Sequence, residues 1–131
     1  MLEPDIETFI RNNVPTLWAL EVLLALRDQA PAVVTRDTLV QQLRATPVLI
    51  ERCLTQLGRA GLVTVDGVGA RFSPATAELT AMCVKLAEAN AQSPIAVRDA
   101  IIQSRNDSLF RFSDAFRISK DKPKGDREGE K

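Results

Sequence analysis

The 131-residue chain has no histidine, no tyrosine, two cysteines and no excess of charge of either sign. The absence of histidine excludes histidine-based catalytic triads, proton shuttles and histidine-ligated metal sites. Seventeen basic and seventeen acidic residues give a formal net charge of zero. That balance argues against a polycationic protein that binds nucleic acid through bulk charge. No apolar run approaches the roughly 18 residues that a membrane-spanning helix needs.

The two cysteines, Cys53 and Cys83, are too few for a disulfide scaffold and lie within helical apolar patterns. We therefore expect two buried thiols and a cytoplasmic protein. The first residues are acidic and lack the cationic and apolar stretches of a secretory signal. The sequence also has no glycine-rich phosphate-binding loop and no CxxC pair. We expect neither a cofactor, nor a metal, nor an enzyme.

What the chain does have is a regular succession of helical patterns. With 45% hydrophobic residues it is long enough to bury one core without disulfides or metals. An opening helix is predicted to end at Asn12-Asn13, and further helices are predicted over 16–29, 36–44 and 47–60. The pairs Ser73-Pro74 and Ser93-Pro94 have the form of an N-cap followed by a first-turn proline. They predict helices that run from there to about residues 91 and 106.

One β-hairpin interrupts the helices. In the helix over 47–60, Ile50, Cys53, Leu54 and Leu57 form the apolar stripe, and Gly61 stands where a left-handed residue ends a helix. The sequence pattern then changes to a period of two over 62–65, which predicts a strand. A turn signal follows at 66–67, and 68–72 is the predicted return strand of the hairpin. The predicted fold is therefore mainly α with a small β-hairpin.

The order of helix, short helix, helix and hairpin resembles a winged helix-turn-helix domain, the architecture of many small bacterial transcriptional regulators. The stretch Leu54-x-x-Leu57-x-x-Ala60-Gly61-Leu62-Val63 carries most of the resemblance. In such families this segment closes the recognition helix and opens the first wing strand. The resemblance covers about half of the chain and implies a bacterial, cytoplasmic, DNA-binding regulator of transcription.

The predicted organisation has four parts. They are an N-terminal helical extension over 1–14, the winged helix-turn-helix over 15–73, a helical segment for dimerisation or docking over 74–118, and a charged tail over 119–131 that we expect to be disordered. An appended C-terminal helix often makes the dimer in winged-helix regulators, so the resemblance implies a homodimer. The alternative is a helix that closes the back of a monomer.

Helical geometry then selects the residues that would meet DNA. If the Ile50 side is buried, the opposite side offers Arg52 and Gln56, which can make paired hydrogen bonds to guanine and adenine edges. The other predicted contacts would lie on phosphates or, for Val48, on a thymine methyl group. The predicted DNA-binding residues are Arg36, Arg44, Thr46, Val48, Arg52, Thr55, Gln56, Arg59 and Arg71. An ordinary solvated helix face is the plainer interpretation.

A protein-binding adaptor that does not bind DNA is the alternative function. Only five basic residues lie over 33–72, fewer than a site with about 6–10 phosphate contacts requires. Apolar residues at the start of the helix over 47–60 and three closely spaced phenylalanines suit protein docking instead. The predicted partner-binding residues are Leu49, Phe110, Phe112 and Phe116. Trp18 is expected in the core or at an interface. The alternative is the wall of a ligand pocket, as in effector-responsive regulators, but nothing polar converges on Trp18 in the sequence.

Overall fold

A computed structural model describes residues 2–105, which are mainly helical with a small three-stranded antiparallel sheet. This agrees with the predicted fold class. The helices are α1 (Pro4–Asn13), α2 (Leu17–Asp28), α3 (Arg36–Leu43), α4 (Pro47–Arg59), α5 (Ala77–Gln92) and α6 (94–105). The strands are β1 (Val34–Thr35), β2 (Val63–Val65) and β3 (Gly69–Phe72).

Four of these helices begin at a threonine whose hydroxyl accepts a hydrogen bond from the backbone N–H three residues later. The donor–acceptor distances lie between 3.1 and 3.2 Å. Such a cap stabilises a helix by about 1 kcal/mol, because it satisfies an N–H that has no partner within the helix. The capping residues are Thr16, Thr35, Thr46 and Thr76.

The predicted start of the fifth helix at Ser73-Pro74 is wrong. Helix α5 begins at Ala77, with Thr76 as its N-cap. The reason is that the preceding residues extend the sheet region: the Ser73 N–H donates to the Leu62 carbonyl at 3.1 Å, and the Ala75 N–H donates to the Gly61 carbonyl at 2.8 Å. These bonds hold the chain beside β2 until Thr76 can cap the helix.

The sheet has the order β1-β3-β2, and both pairs are antiparallel. The sequence predicts the hairpin of β2 and β3 but not β1, because two residues are too few to show an alternating pattern. Val34 pairs with Ala70, and Thr35 pairs with Gly69. A Cβ atom at Gly69 would lie 2.8 Å from the Thr35 Cα. The glycine therefore allows β1 to approach the hairpin.

A single core joins the described elements. Ile10 of α1, Leu23 of α2, Leu54 of α4, Leu86 of α5 and Ile101 of α6 are each at most 2% exposed and belong to one cluster. The N-terminal extension and the C-terminal helices therefore share their interior with the helices and hairpin between them. A one-core body of this kind holds its surface residues in fixed relative positions.

Cys53 and Cys83 are free and buried, as predicted. Burial raises the pKa of the Cys83 thiol to about 11 and raises that of Cys53 as well. Within residues 2–105, no helix combines the length and the apolarity needed to cross a bilayer. Phe110, Phe112, Phe116 and the charged tail lie outside the described residues.

Candidate nucleic-acid interface

Helix α4 is fixed on the body of the protein by its apolar stripe. Ile50, Leu54 and Leu57 are fully buried, and Cys53 is 1% exposed. The helix ends where the Leu62 N–H donates to the Leu57 carbonyl at 3.1 Å, with Gly61 in the left-handed conformation at φ +78°. The predicted stripe and the predicted stop are both confirmed. The orientation of α4 about its own axis is therefore set by the core.

The opposite face of α4 points to solvent, as helical geometry requires. Val48 is 70% exposed, and Arg52, Thr55 and Arg59 are also exposed. Gln56 is half-buried at the edge of this face. The face presents two guanidinium groups, a hydroxyl and an amide along one helix, which are the groups that hydrogen-bond to base edges and phosphates.

The turn between α3 and α4 places two more of the predicted residues beside this face. Arg44 ends α3 in the left-handed conformation, with φ 54° and ψ 45°, and its N–H donates to the Val40 carbonyl. Its side chain is exposed. The exposed Thr46 uses its hydroxyl to accept from the Leu49 N–H at 3.2 Å. A left-handed arginine is uncommon, since glycine or asparagine normally occupies such a position.

Arg36 differs from the other predicted arginines because its side chain is already bonded. It forms an ion pair with Glu51 of α4, and its Nη1 donates to the Asp66 carbonyl at 2.8 Å. The guanidinium group thereby links α3, α4 and the β2–β3 turn. Glu51 offsets much of its charge, so Arg36 is the weakest candidate for a phosphate contact among the predicted set. No local pattern in the sequence indicates this pair.

Asp66, at the tip of the hairpin, holds the turn together. Its Oδ1 accepts from the Val68 N–H at 2.8 Å and from the Gly69 N–H at 3.0 Å. These two backbone bonds lower the pKa of the carboxyl group, the bond from Gly69 most. Val68 is 66% exposed at the tip, and Arg71 is exposed on β3. The aspartate is thus a structural part of the turn, and Arg71 provides the positive charge of the hairpin.

Four of the predicted DNA-binding arginines have no ion pair among residues 2–105. The two ion pairs found there use Arg36 and Lys85. An unpaired guanidinium group keeps its full attraction for an anion, whereas a paired one must first lose its partner. The four unpaired arginines are Arg44 at the end of α3, Arg52 and Arg59 on α4, and Arg71 on β3.

The structure also shows a groove that the sequence did not reveal. Trp18 is 37% exposed, so it does not lie in the core, and its place at an interface stays a prediction. It shares a groove of about 310 Å³ with residues of α4 and α6, among them Arg52, Gln56 and Arg105. Polar groups therefore do converge on Trp18. The signal was absent from the sequence because α2, α4 and α6 lie far apart along the chain.

The comparison with known protein families, curated proteins and solved structures finds no match to this chain. The described residues also contain no group of three or more cysteine, aspartate or glutamate side chains that could hold a metal ion. The interpretation of the α4 face therefore rests on its geometry and charge.

Proposed function

We propose that the protein is a DNA-binding regulator of transcription that places α4 in the major groove. The observation that carries the proposal is the two-sided character of α4. One side is buried through Ile50, Leu54 and Leu57, and the other exposes Arg52 and Arg59 without ion pairs among the described residues. The major groove is about 12 Å wide and admits one α-helix.

The order of the elements supports a winged helix-turn-helix interpretation. The chain runs α2, β1, α3, α4, β2 and β3, and the hairpin lies next to the exposed helix through the contact of Arg36 with Glu51 and the Asp66 carbonyl. In this interpretation α3 and α4 form the helix-turn-helix and the β2–β3 turn is the wing. The hairpin would then lie along the DNA backbone while α4 reads base edges.

Each residue then has a distinct part in recognition. Arg52 would donate two hydrogen bonds to guanine, and Gln56 would pair with adenine in the same groove. The remaining unpaired arginines, Arg44, Arg59 and Arg71, would contact phosphates. Three phosphate contacts per copy are fewer than the 6–10 that a tight site uses. We therefore propose that two copies bind together, one in each of two successive major grooves.

The test is a salt titration of binding to duplex DNA. Each copy that neutralises about three phosphates gives a slope of about −3 in log affinity against log salt concentration, and two copies give about twice that value. No binding to any duplex at low salt would refute the proposal.

A matched pair of arginine variants then tests the assigned base contact. Arg52→Ala is expected to cost about 1–3 kcal/mol of affinity and to relax the preference at one base position. Arg98→Ala removes an exposed arginine of α6 that is not on the α4 face, and we expect it to change neither. Equal losses for the two variants would contradict the role of Arg52.

The adaptor function remains a second candidate because of one observation at the start of α4. Val48 is 70% exposed, and the neighbouring Leu49 lines the groove beside Trp18. An exposed apolar group at that place suits a protein partner as well as a thymine methyl group. Two variants test whether Val48 contacts DNA. Val48→Asp should lower the affinity for duplex DNA, because it removes one contact and adds repulsion from phosphate, whereas Val48→Thr should leave that affinity nearly unchanged. If neither variant affects duplex binding, Val48 has no part in reading DNA and the adaptor interpretation gains support.

A further inference from the structure

The groove beside Trp18 has the size and the lining of a small-molecule site. It has a volume of about 310 Å³ and lies between the start of α2, the edge of α4 and the end of α6. Ligand sites in proteins typically have volumes of about 300–1,000 Å³ and mostly apolar walls with a few convergent polar groups. The large apolar side chains of the lining are Leu17, Trp18, Leu49, Ile101 and Ile102.

The polar groups of the groove have one sign of charge. Arg52 and Arg105 contribute guanidinium groups from two helices, and Gln56 contributes an amide. None of the residues that line the groove is acidic, and neither arginine is in an ion pair within the described part of the chain. Both guanidinium groups are hydrogen-bond donors with a positive charge, so an anion bound in the groove would accept charge-assisted hydrogen bonds from them.

We propose that this groove binds a small amphipathic carboxylate. Its apolar body would lie between Trp18 and the isoleucines of α6, and its carboxylate would accept hydrogen bonds from Arg52 and Arg105. A carboxylate fits better than a larger anion because guanidinium groups bind it through two parallel hydrogen bonds. Binding in the groove does not depend on the proposed function. Its regulatory consequence does, because Arg52 and Gln56 would be withdrawn from DNA.

The chain carries its own reporter for this site. Trp18 is the one tryptophan and there is no tyrosine, so intrinsic emission reports on the groove wall. The probe is phenylbutyrate, and its uncharged amide, phenylbutyramide, is the matched control. We expect a saturable change in Trp18 emission with the acid and at least about tenfold weaker binding of the amide, because the charge-assisted hydrogen bonds are lost. Equal binding of acid and amide, or no saturable change with the acid, would overturn the proposal.

Three variants of the full chain locate the anion. Arg52→Met and Arg105→Met should each weaken phenylbutyrate binding by about tenfold, since each removes one guanidinium group. Arg98→Met removes an exposed arginine of the same helix α6 that does not line the groove, and the affinity should stay within about twofold of the parent. A similar loss in all three variants would mean that general positive charge attracts the probe, which contradicts a defined site.

A fourth variant tests whether the chain fills its own groove. Phe110, Phe112 and Phe116 follow α6 in the sequence, and replacing all three with serine should leave phenylbutyrate affinity unchanged. A rise of more than about tenfold would show that this aromatic segment is the natural occupant, by the high effective concentration of a tethered group. That result would overturn the proposal.

Duplex binding provides the last comparison. Phenylbutyrate at saturating concentration should weaken duplex binding by the parent protein by at least about tenfold, as expected of two ligands that need the same arginine. If duplex binds equally well with and without saturating phenylbutyrate, the shared use of Arg52 is refuted. Failure of the emission titration alone refutes the groove proposal, whereas failure of duplex binding alone refutes the proposed function.

Discussion

Helices α4 and α5 are built in the same way but use their charges differently. Each begins at a threonine N-cap, and each buries a leucine completely, Leu57 in α4 and Leu86 in α5. On α5 the exposed Lys85 lies 2.7 Å from Asp5 Oδ2 of α1, and this contact raises the pKa of the lysine and lowers that of the aspartate. On α4 the exposed arginines have no such partner among the described residues.

The difference shows how a site can be found in a protein with no net charge. Both helices carry cations, so the presence of basic residues alone does not separate them. The ion pair on α5 already satisfies its cation within the protein, whereas the guanidinium groups on the α4 face have no ion pair within residues 2–105. Arginines without an ion pair within residues 2–105 also lie elsewhere, Arg98 of α6 among them. What identifies the candidate interface is that Arg52 and Arg59 share the exposed side of a helix whose other side is buried in the core.

The largest expected effect comes from reversing one charge in each region. Arg59→Glu on α4 should weaken binding to duplex DNA by about tenfold to a hundredfold at low salt, because it removes a phosphate contact and adds repulsion. Lys85→Glu on α5 makes the same change of charge and should alter duplex affinity by less than about twofold. A competition assay with labelled duplex measures both. Equal losses would mean that total charge, and not the α4 face, governs binding.

A smaller effect is expected from a methyl group added at Gly69, where strand β3 of the hairpin pairs with β1. The α5 region contains no hairpin. A Cβ atom at Gly69 would press on the backbone of β1, whereas nothing lies within 4 Å of a Cβ atom at Gly67. We expect Gly69→Ala to lower the free energy of unfolding by about 1–3 kcal/mol. Gly67→Ala is the matched control and should change it by less than about 0.5 kcal/mol. Urea denaturation provides the values, and a harmless Gly69→Ala would show that β1 is free to move aside.

A still smaller change in stability is expected at the turn before α4. Arg44 adopts the left-handed conformation at φ 54°, which costs a non-glycine residue about 1–2 kcal/mol, while glycine loses more chain entropy on folding. Arg44→Gly should therefore leave the free energy of unfolding within about 1 kcal/mol of the parent, or raise it slightly. Duplex affinity should fall nonetheless, because the positive charge is gone. A loss of stability together with unchanged affinity would contradict both statements.

The smallest expected effect separates the two carboxylates by their response to pH and salt. Asp5 has its pKa lowered chiefly by the Lys85 side chain, and Asp66 chiefly by backbone N–H groups. A carboxyl group whose pKa is lowered in the folded state stabilises the protein at pH values above its ordinary pKa. This contribution is lost as the pH falls through the folded-state pKa. Thermal midpoints measured from about pH 6 down to about pH 3 should therefore fall less in Asp66→Asn and in Asp5→Asn than in the parent.

Salt distinguishes the two carboxylates further. Added salt should shrink the Asp5 effect, since it screens an exposed ion pair, and should leave the Asp66 effect nearly intact. A parent protein and an Asp66→Asn variant with parallel pH profiles would show that the hairpin tip does not depend on the charge of Asp66.

The sequence predicted well those parts of the fold that depend on near neighbours. The stripe of Ile50, Cys53, Leu54 and Leu57 and the stop at Gly61 are set by residues within one helix and its first following turn. Local signals of this kind suffice because a helical period and a left-handed glycine depend only on residues that are close together in the sequence. The exposed face of α4 then followed by geometry alone.

The features that the sequence missed depend on residues brought together from a distance. Arg36 and Glu51 are 15 positions apart, and no pattern within either helix predicts that they form an ion pair. Strand β1 is visible only through its partner β3, and the groove needs α2, α4 and α6 at once. The helix start predicted at Ser73 is wrong for the same reason. Ser73 is a residue type that caps helices, but its N–H donates to the distant Leu62 carbonyl.

Arg36 has a consequence for how the two exposed parts of the molecule act together. Its guanidinium group joins Glu51 of α4 to the backbone carbonyl of Asp66 in the hairpin turn. Helix and hairpin are thereby held at one separation before any partner arrives, so the entropy of aligning them is lost during folding and not during association. If the surface binds a partner as proposed, its spacing is set beforehand by Arg36, a residue that need not touch the partner itself.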